Sequence, residues 1–200
     1  MELTSIPQDI GTARMLGIAG SALVLLGILI PFLSLIGFVL VLVSLYMLSK
    51  QMGEESIFRN AAISVVLSIA GFIVFAFLTG ASFFAISGAL GSGELTALTA
   101  AGIGSLLAGF VILYIAMVAS AVFFRRALEA LAGRTGVDMF RHAGLAYLVG
   151  SITLIVLVGI LIILIAWALL LVGFIQLRPE QGMGAQAAIQ EGPGESIGQT

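Results

Sequence analysis

Polar residues are distributed along the chain in blocks. Residues 15–48 contain no charged side chain, and neither do 143–177; residues 60–124 contain only Glu94, next to a Gly/Ser patch at 88–93. The hydrocarbon core of a bilayer is ~30 Å thick and takes about 20 helical residues. As one helix, the first block would be about 51 Å long, an excess that tilt does not absorb. Pro31 lies at its midpoint and Gly159 near the middle of the third block, so each reads as a tight helical hairpin. The second block divides at its Gly/Ser patch. The pattern predicts six helices, about 13–30, 32–50, 57–82, 95–132, 139–157 and 160–177. The expected fold is therefore all-α, a polytopic transmembrane bundle of six spans arranged as three serial helical hairpins. Helices of ~16–18 residues reach only about 24–27 Å, so the outer turns lie shallow or the bilayer thins. Trp167 also falls near mid-depth, whereas tryptophan favours the interface. The alternative is four spans, with the first and last blocks each forming one long kinked helix.

Charge placement separates the two arrangements. With six spans, Arg14, Lys50, Arg59, Arg125, Arg126, Arg134, Arg141 and Arg178 share one side and the other holds only Glu94. With four, Arg14 and Arg178 join Glu94. The positive-inside rule favours six spans in the cell membrane, with N- and C-termini in the cytoplasm. Residues 1–12 form a polar cytoplasmic N-terminus; with Glu2 and Asp9 in place of a basic stretch, and no cleavage site, they do not read as a cleavable signal peptide. The transmembrane domain covers 13–177. Pro179 stops the last helix, and the Gly-, Gln- and Glu-rich residues 178–200 are expected to be a disordered cytoplasmic tail.

Composition agrees. The 200 residues are 60% hydrophobic and 9% charged, with a mean hydropathy of +1.23. Soluble domains carry about 25% charged residues, so here the lipid bilayer is part of the solvent. A net charge of −2 gives no basis for a nucleic-acid partner. The absence of cysteine excludes disulfides and thiolate chemistry.

Each outward helix starts beside an arginine (Arg14, Arg59, Arg141), and each returning one ends on a basic residue (Lys50, Arg125 and Arg126, Arg178). Two of the starts match, Ser56-Ile57-Phe58-Arg59-Asn60-Ala61 and Asp138-Met139-Phe140-Arg141-His142-Ala143. Ser56 and Asp138 read as N-caps. Phe58, Arg59, Phe140 and Arg141 are candidate contacts for a lipid headgroup or a membrane protein partner; the plainer reading is of interfacial anchors. Arg125 and Glu129 are spaced to pair on a helix surface, and Gly133 is placed to end that helix.

Small residues supply the packing faces that helices need in lipid. They recur as Ala101, Ser105, Gly109, Ala116 and Ser120 in the fourth helix and as Gly17, Gly20, Ser21 and Gly27 in the first. The third has Ser64, Ser68 and Gly71, and the fifth Gly144, Ala146, Gly150 and Ser151. The sixth has mainly Ala166 and Gly173 and is expected outermost. The stripes serve internal packing in preference to a homo-oligomer.

No Asp, Glu, Lys or Arg lies at membrane depth, where pumps, proton-coupled carriers and voltage sensors place them. Glu94 suits the start of the fourth helix. His142 is the sole histidine, and no carboxylate pair has catalytic spacing. Ser64, Ser68, Ser105, Tyr114, Ser151 and Thr153 are expected to bond carbonyls of their own helices. Phe83, Phe84 and Ile86 are placed to form a short helix at the outer interface. No catalytic, cofactor-binding or metal residue is assigned, and the chain is not expected to be an enzyme.

Ile30-Pro31-Phe32 with Leu35-Ile36-Gly37-Phe38, the two matching helix starts, the run 136–145, and Leu164-Ile165-Ala166-Trp167 together resemble a family of archaeal and bacterial membrane proteins, domain of unknown function 996. The resemblance covers about 13–177 and implies a multi-span membrane protein without an assigned activity or site. The leading expectation is a non-catalytic scaffold or accessory subunit acting through helix packing and a basic cytoplasmic face. The alternative is a transporter or pore for a small neutral or lipid-like solute.

Overall fold

The computed structural model describes residues 10–27, 30–92 and 95–177. Expectations for residues 1–9, Glu94, Arg178 and the tail fall outside them. The described residues are all-α, with helices α1 (Ile10–Leu26), α2 (Pro31–Gln51), α3 (Glu55–Ser92), α4 (Leu95–Thr135), α5 (Asp138–Thr153) and α6 (Val158–Gln176), and a 3-10 turn at Leu154–Val156. Five helices are long and apolar enough to cross a membrane, and α1 is a shorter apolar helix. This is the architecture of a multi-pass membrane protein. The first and third apolar blocks fold back as helix pairs, each pair packed together, and neither is a single kinked helix.

Two compact units are present: one from residues up to Ala61 together with those from Arg125 on, the other from residues 62–124. In the first, α1 packs on α2 and α6, and α5 on α6. The contacts are close because glycines face backbone. A Cβ on Gly20 would lie 2.6 Å from the Gly37 carbonyl oxygen, and one on Gly150 would lie 2.9 Å from the Ile163 nitrogen. Ser44 adds a cross-helix bond, its hydroxyl donating to the Ala13 carbonyl at 2.7 Å.

The sixth helix is not outermost. Phe174 fills the space over Gly17, Phe140 packs over Gly173, and the two rings meet edge to face at 5.2 Å. Trp167 is buried between Phe38 and Tyr147, at 6.1 and 6.3 Å. Packing inside the bundle thus accounts for a tryptophan away from an interface. The sixth helix contributes large side chains to hollows that glycines leave open, a role a search for smooth faces does not detect.

In the second unit, α3 and α4 lie along a seam of small residues. Gly71 faces Ala116, Gly109 faces Phe75 and Leu78, and Gly102 faces Ile86. Ser64 and Ser68 both bond the Ser120 hydroxyl at 2.8 Å, and Ser82 bonds Ser105 at 2.6 Å. These serines bridge helices, contrary to the expectation for Ser64 and Ser68. Ser151 and Thr153 do bond carbonyls four residues back. Val66, Ile69, Phe72, Phe77, Ile103, Leu107 and Ile115 are exposed, which suits a lipid surround and not water.

Several boundaries differ from expectation. Helix α3 runs on through Phe83, Phe84 and Ile86 to Ser92, so no separate short helix forms there. Helix α4 continues through Gly133 and stops at Gly136, which has φ +68° and whose N–H donates to the Ala132 carbonyl at 2.8 Å. The last hairpin turns at Leu157, φ +65°, while Gly159 lies inside α6 against Gly150 and Leu154. There glycine serves close approach, and a 3-10 turn provides the reversal.

Candidate functional site

Every charged residue described lies in the first unit; Arg125, Arg126 and Glu129 stand within the last three turns of α4, and the others at or near helix ends. Contacts gather these ends together. Gly53, φ +60°, turns the chain after α2. Glu54 then donates its N–H to the Ser49 carbonyl at 3.1 Å, and its own carbonyl accepts from the Ser49 hydroxyl at 3.0 Å. Ser56 donates to one Glu54 carboxylate oxygen at 2.6 Å, and the Arg134 Nε to the other at 3.0 Å. The Ser56 hydroxyl first, and the Arg134 guanidinium next, hold the Glu54 carboxyl below the usual carboxylate range. This clasp joins the α2–α3 connection to the end of α4.

On the same unit, Arg14 Nη2 donates to the Ile175 carbonyl at 2.8 Å. A cation here satisfies a terminal carbonyl of α6 and suits the negative end of its dipole. Arg14, residues 136–139 and residues 175–177 line an open cleft of about 690 Å³. Arg125 Nε meets the Glu129 carboxylate at 2.8 Å, as the spacing predicts.

The two predicted caps are not caps. Ser56 lies within the first turn of α3 and is turned to Glu54. Asp138 is the first helical residue of α5, and Val137 occupies the cap position without a side-chain bond. The Val137 N–H is taken by the Thr135 hydroxyl at 3.3 Å. His142 Nδ1 lies 2.8 Å from the Asp138 carbonyl oxygen, a bond within its own helix.

The four candidate contact residues separate. Arg59 and Arg141 are exposed. Phe58 is 36% exposed and packs edge to face on Tyr46 at 5.0 Å. Phe140 is fully buried and cannot face the membrane surface, because Gly173 and Phe174 hold its ring in the core. The two matching segments therefore do different work. Sequence reasoning missed the Glu54–Arg134 pair, which joins residues 80 apart without any local signal. Arg14 carried a signal, since the last carbonyls of α6 needed a donor.

As chemistry, this end offers guanidinium and ammonium groups at the roots of apolar helices. Such groups bind phosphate or carboxylate at an interface.

A family profile described as a protein of unknown function, DUF996, matches residues 33–168. The uncharacterised protein MJ1644 of Methanocaldococcus jannaschii is 33% identical over 173 residues, which cover 86% of this chain and 95% of that protein. No solved structure matches the chain.

Proposed function

The chain belongs to the DUF996 family, and we propose that it is a non-catalytic scaffold or accessory subunit in the cell membrane. Its six membrane helices form three serial hairpins rooted on the cytoplasmic side, with both termini in the cytoplasm. The observation that carries this reading is the separation of charge from depth. Ionisable groups collect at helix roots, and residues 62–124 carry no charge but Glu94.

Ion coupling draws on ionisable groups within the membrane, and the apolar blocks carry none but Glu94, beside the Gly/Ser patch. A solute path draws on free hydroxyls between helices. Here Ser64 and Ser68 each bond Ser120, Ser82 bonds Ser105, and glycine contacts draw the helix pairs close. These features support a packing role over a carrier. Arg59 and Arg141, with Phe58 beside the first, are the contacts offered to an anionic headgroup or to a partner's acidic segment.

Purification in a mild detergent tests the reading. A membrane protein is expected to co-purify, and to be lost from an Arg59→Glu, Arg141→Glu variant that remains folded. A stable lone monomer, unaltered by the double substitution, overturns it.

A further inference from the structure

Two of the three hairpins have one limb whose stretch beyond its last basic residue is short for the bilayer, although α2, α5 and α6 are each long enough in full to cross. A hairpin tip cannot lie farther from its roots than its shorter limb and the connecting turn together reach. In the first, α1 carries Arg14 near its start, and twelve residue rises from there to Leu26 make about 18 Å. In the last, the first turn of α5 is occupied by Asp138, Arg141 and His142, all exposed. From Arg141 to Thr153 is again about 18 Å, and the 3-10 turn adds about 6 Å. The hydrocarbon layer is ~30 Å thick. Within α3, by contrast, residues 62–88 alone span about 39 Å.

The tips are made for hydrocarbon. Ile155, Val156 and Leu157 are 75%, 66% and 73% exposed, and Phe32 is 79% exposed. Leu157 adopts a left-handed conformation in which glycine is the ordinary choice, yet an apolar side chain stands there and projects outward. The turn also closes its backbone internally, as a chain within lipid must. The Leu157 N–H donates to the Leu154 carbonyl at 3.0 Å and the Ile160 N–H to the Leu157 carbonyl at 3.2 Å; near the first tip, the Leu33 N–H donates to the Ile30 carbonyl at 2.9 Å.

We propose that the α1–α2 and α5–α6 hairpins are re-entrant: they enter from the side of their charged roots, and their tips rest among the acyl chains of the far leaflet without reaching far-side water. This rests on the one-sided placement of the roots proposed above and refines the depth of four of the six helices. The tips are then a lipid-contacting surface that distorts or thins the far leaflet over them.

The chain contains no cysteine, so single thiols can be placed without background. Val156→Cys and Phe32→Cys carry nitroxides at the tips, with Ser87→Cys, exposed far along α3, as the far-side reference and Thr12→Cys as the root reference. In phospholipid vesicles the two tip labels are expected to be relaxed by oxygen and not by a water-soluble nickel chelate, while Ser87→Cys and Thr12→Cys respond to nickel. Nickel access at the tips equal to that at Ser87→Cys overturns the inference and leaves the root placement standing. Tip labels reached by neither reagent also overturn it, since protein and not lipid then covers them. Separately, an impermeant maleimide on intact cells is expected to spare Thr12→Cys; its labelling there would refute the root placement itself.

Discussion

Glu54 shows how much of this molecule's polar chemistry depends on one connection. Its carboxylate receives Ser56 and Arg134, and its backbone is tied both ways to Ser49. The carboxyl is held below its ordinary value of 4.5, so the unfolded chain takes up the proton first as pH falls. The stabilisation is therefore complete above the ordinary value and is lost as pH drops through it toward the lower folded value. Its size is limited because Arg134 is 45% and Glu54 27% exposed; such pairs contribute at most about 1 kcal/mol. A Glu54→Gln variant is expected to be less stable by that order near neutrality. The difference from the unaltered protein should shrink on acidification below the ordinary carboxylate value. Unfolding followed in detergent at both pH values checks it, and a constant offset would mean that the clasp acts through shape alone.

At the level of helices, glycine does the work that apolar burial does in water. Lipid supplies no hydrophobic drive between helices, so stability comes from close contact. On Gly20, a Cβ would meet the Gly37 carbonyl oxygen at 2.6 Å and the Val41 nitrogen at 2.8 Å. Both are backbone atoms that cannot swing away. Gly20→Ala is expected to cost about 1–3 kcal/mol through forced separation of α1 and α2. Gly104 faces open space, and Gly104→Ala should be neutral or gain up to about 1 kcal/mol from helix preference. Thermal unfolding of the two variants in one detergent compares them directly. This logic also explains what could be read beforehand. The smooth faces of α1, α3, α4 and α5 were visible as spacings of Gly, Ala and Ser, because small residues mark the receiving side of a contact. The inserting side is marked by nothing local: Phe174, Phe140 and Trp167 look like any lipid-facing aromatics until their hollows are known. Spacing alone therefore points α6 to the periphery and Phe140 to the membrane surface, while the hollows over Gly17 and Gly173 hold them in the core. The hairpin in the third block is legible, but its turning residue is not, since Gly159 offers the conformational freedom and is used for contact with Gly150, while Leu157 makes the turn.

For the molecule as a whole, orientation rests on very few charges. Residues 62–124 contain Glu94 and no basic residue, while Arg59, Arg125 and Arg126 stand just outside that stretch. The flanking connections are short, so basic residues there are the ones that orient a hairpin. Phe72, Phe77, Ile103 and Leu107 are exposed and give lipid contact without any preference for direction. Hydrophobicity thus commits α3 and α4 to the membrane, and by the positive-inside rule we expect the three arginines to weigh on which end crosses. The charge difference across this hairpin can be inverted by replacing Arg59, Arg125 and Arg126 with Gln and placing Lys at Ser87, Ser92 and Glu94. Alkaline phosphatase, active only outside the cytoplasm, reports the outcome when inserted after Ser92. In the unaltered chain it should be active. In the inverted chain most of that activity is expected to disappear, because carrying three lysines across is opposed while only Lys50, Arg134 and Arg141 still hold the roots. Replacing the arginines alone should give a mixed population, since the preference is then weakened, with Lys50, Arg134 and Arg141 still at the roots, without being reversed. Full activity in the inverted chain would show that the neighbouring hairpins, and not the arginines, dictate the direction of α3 and α4.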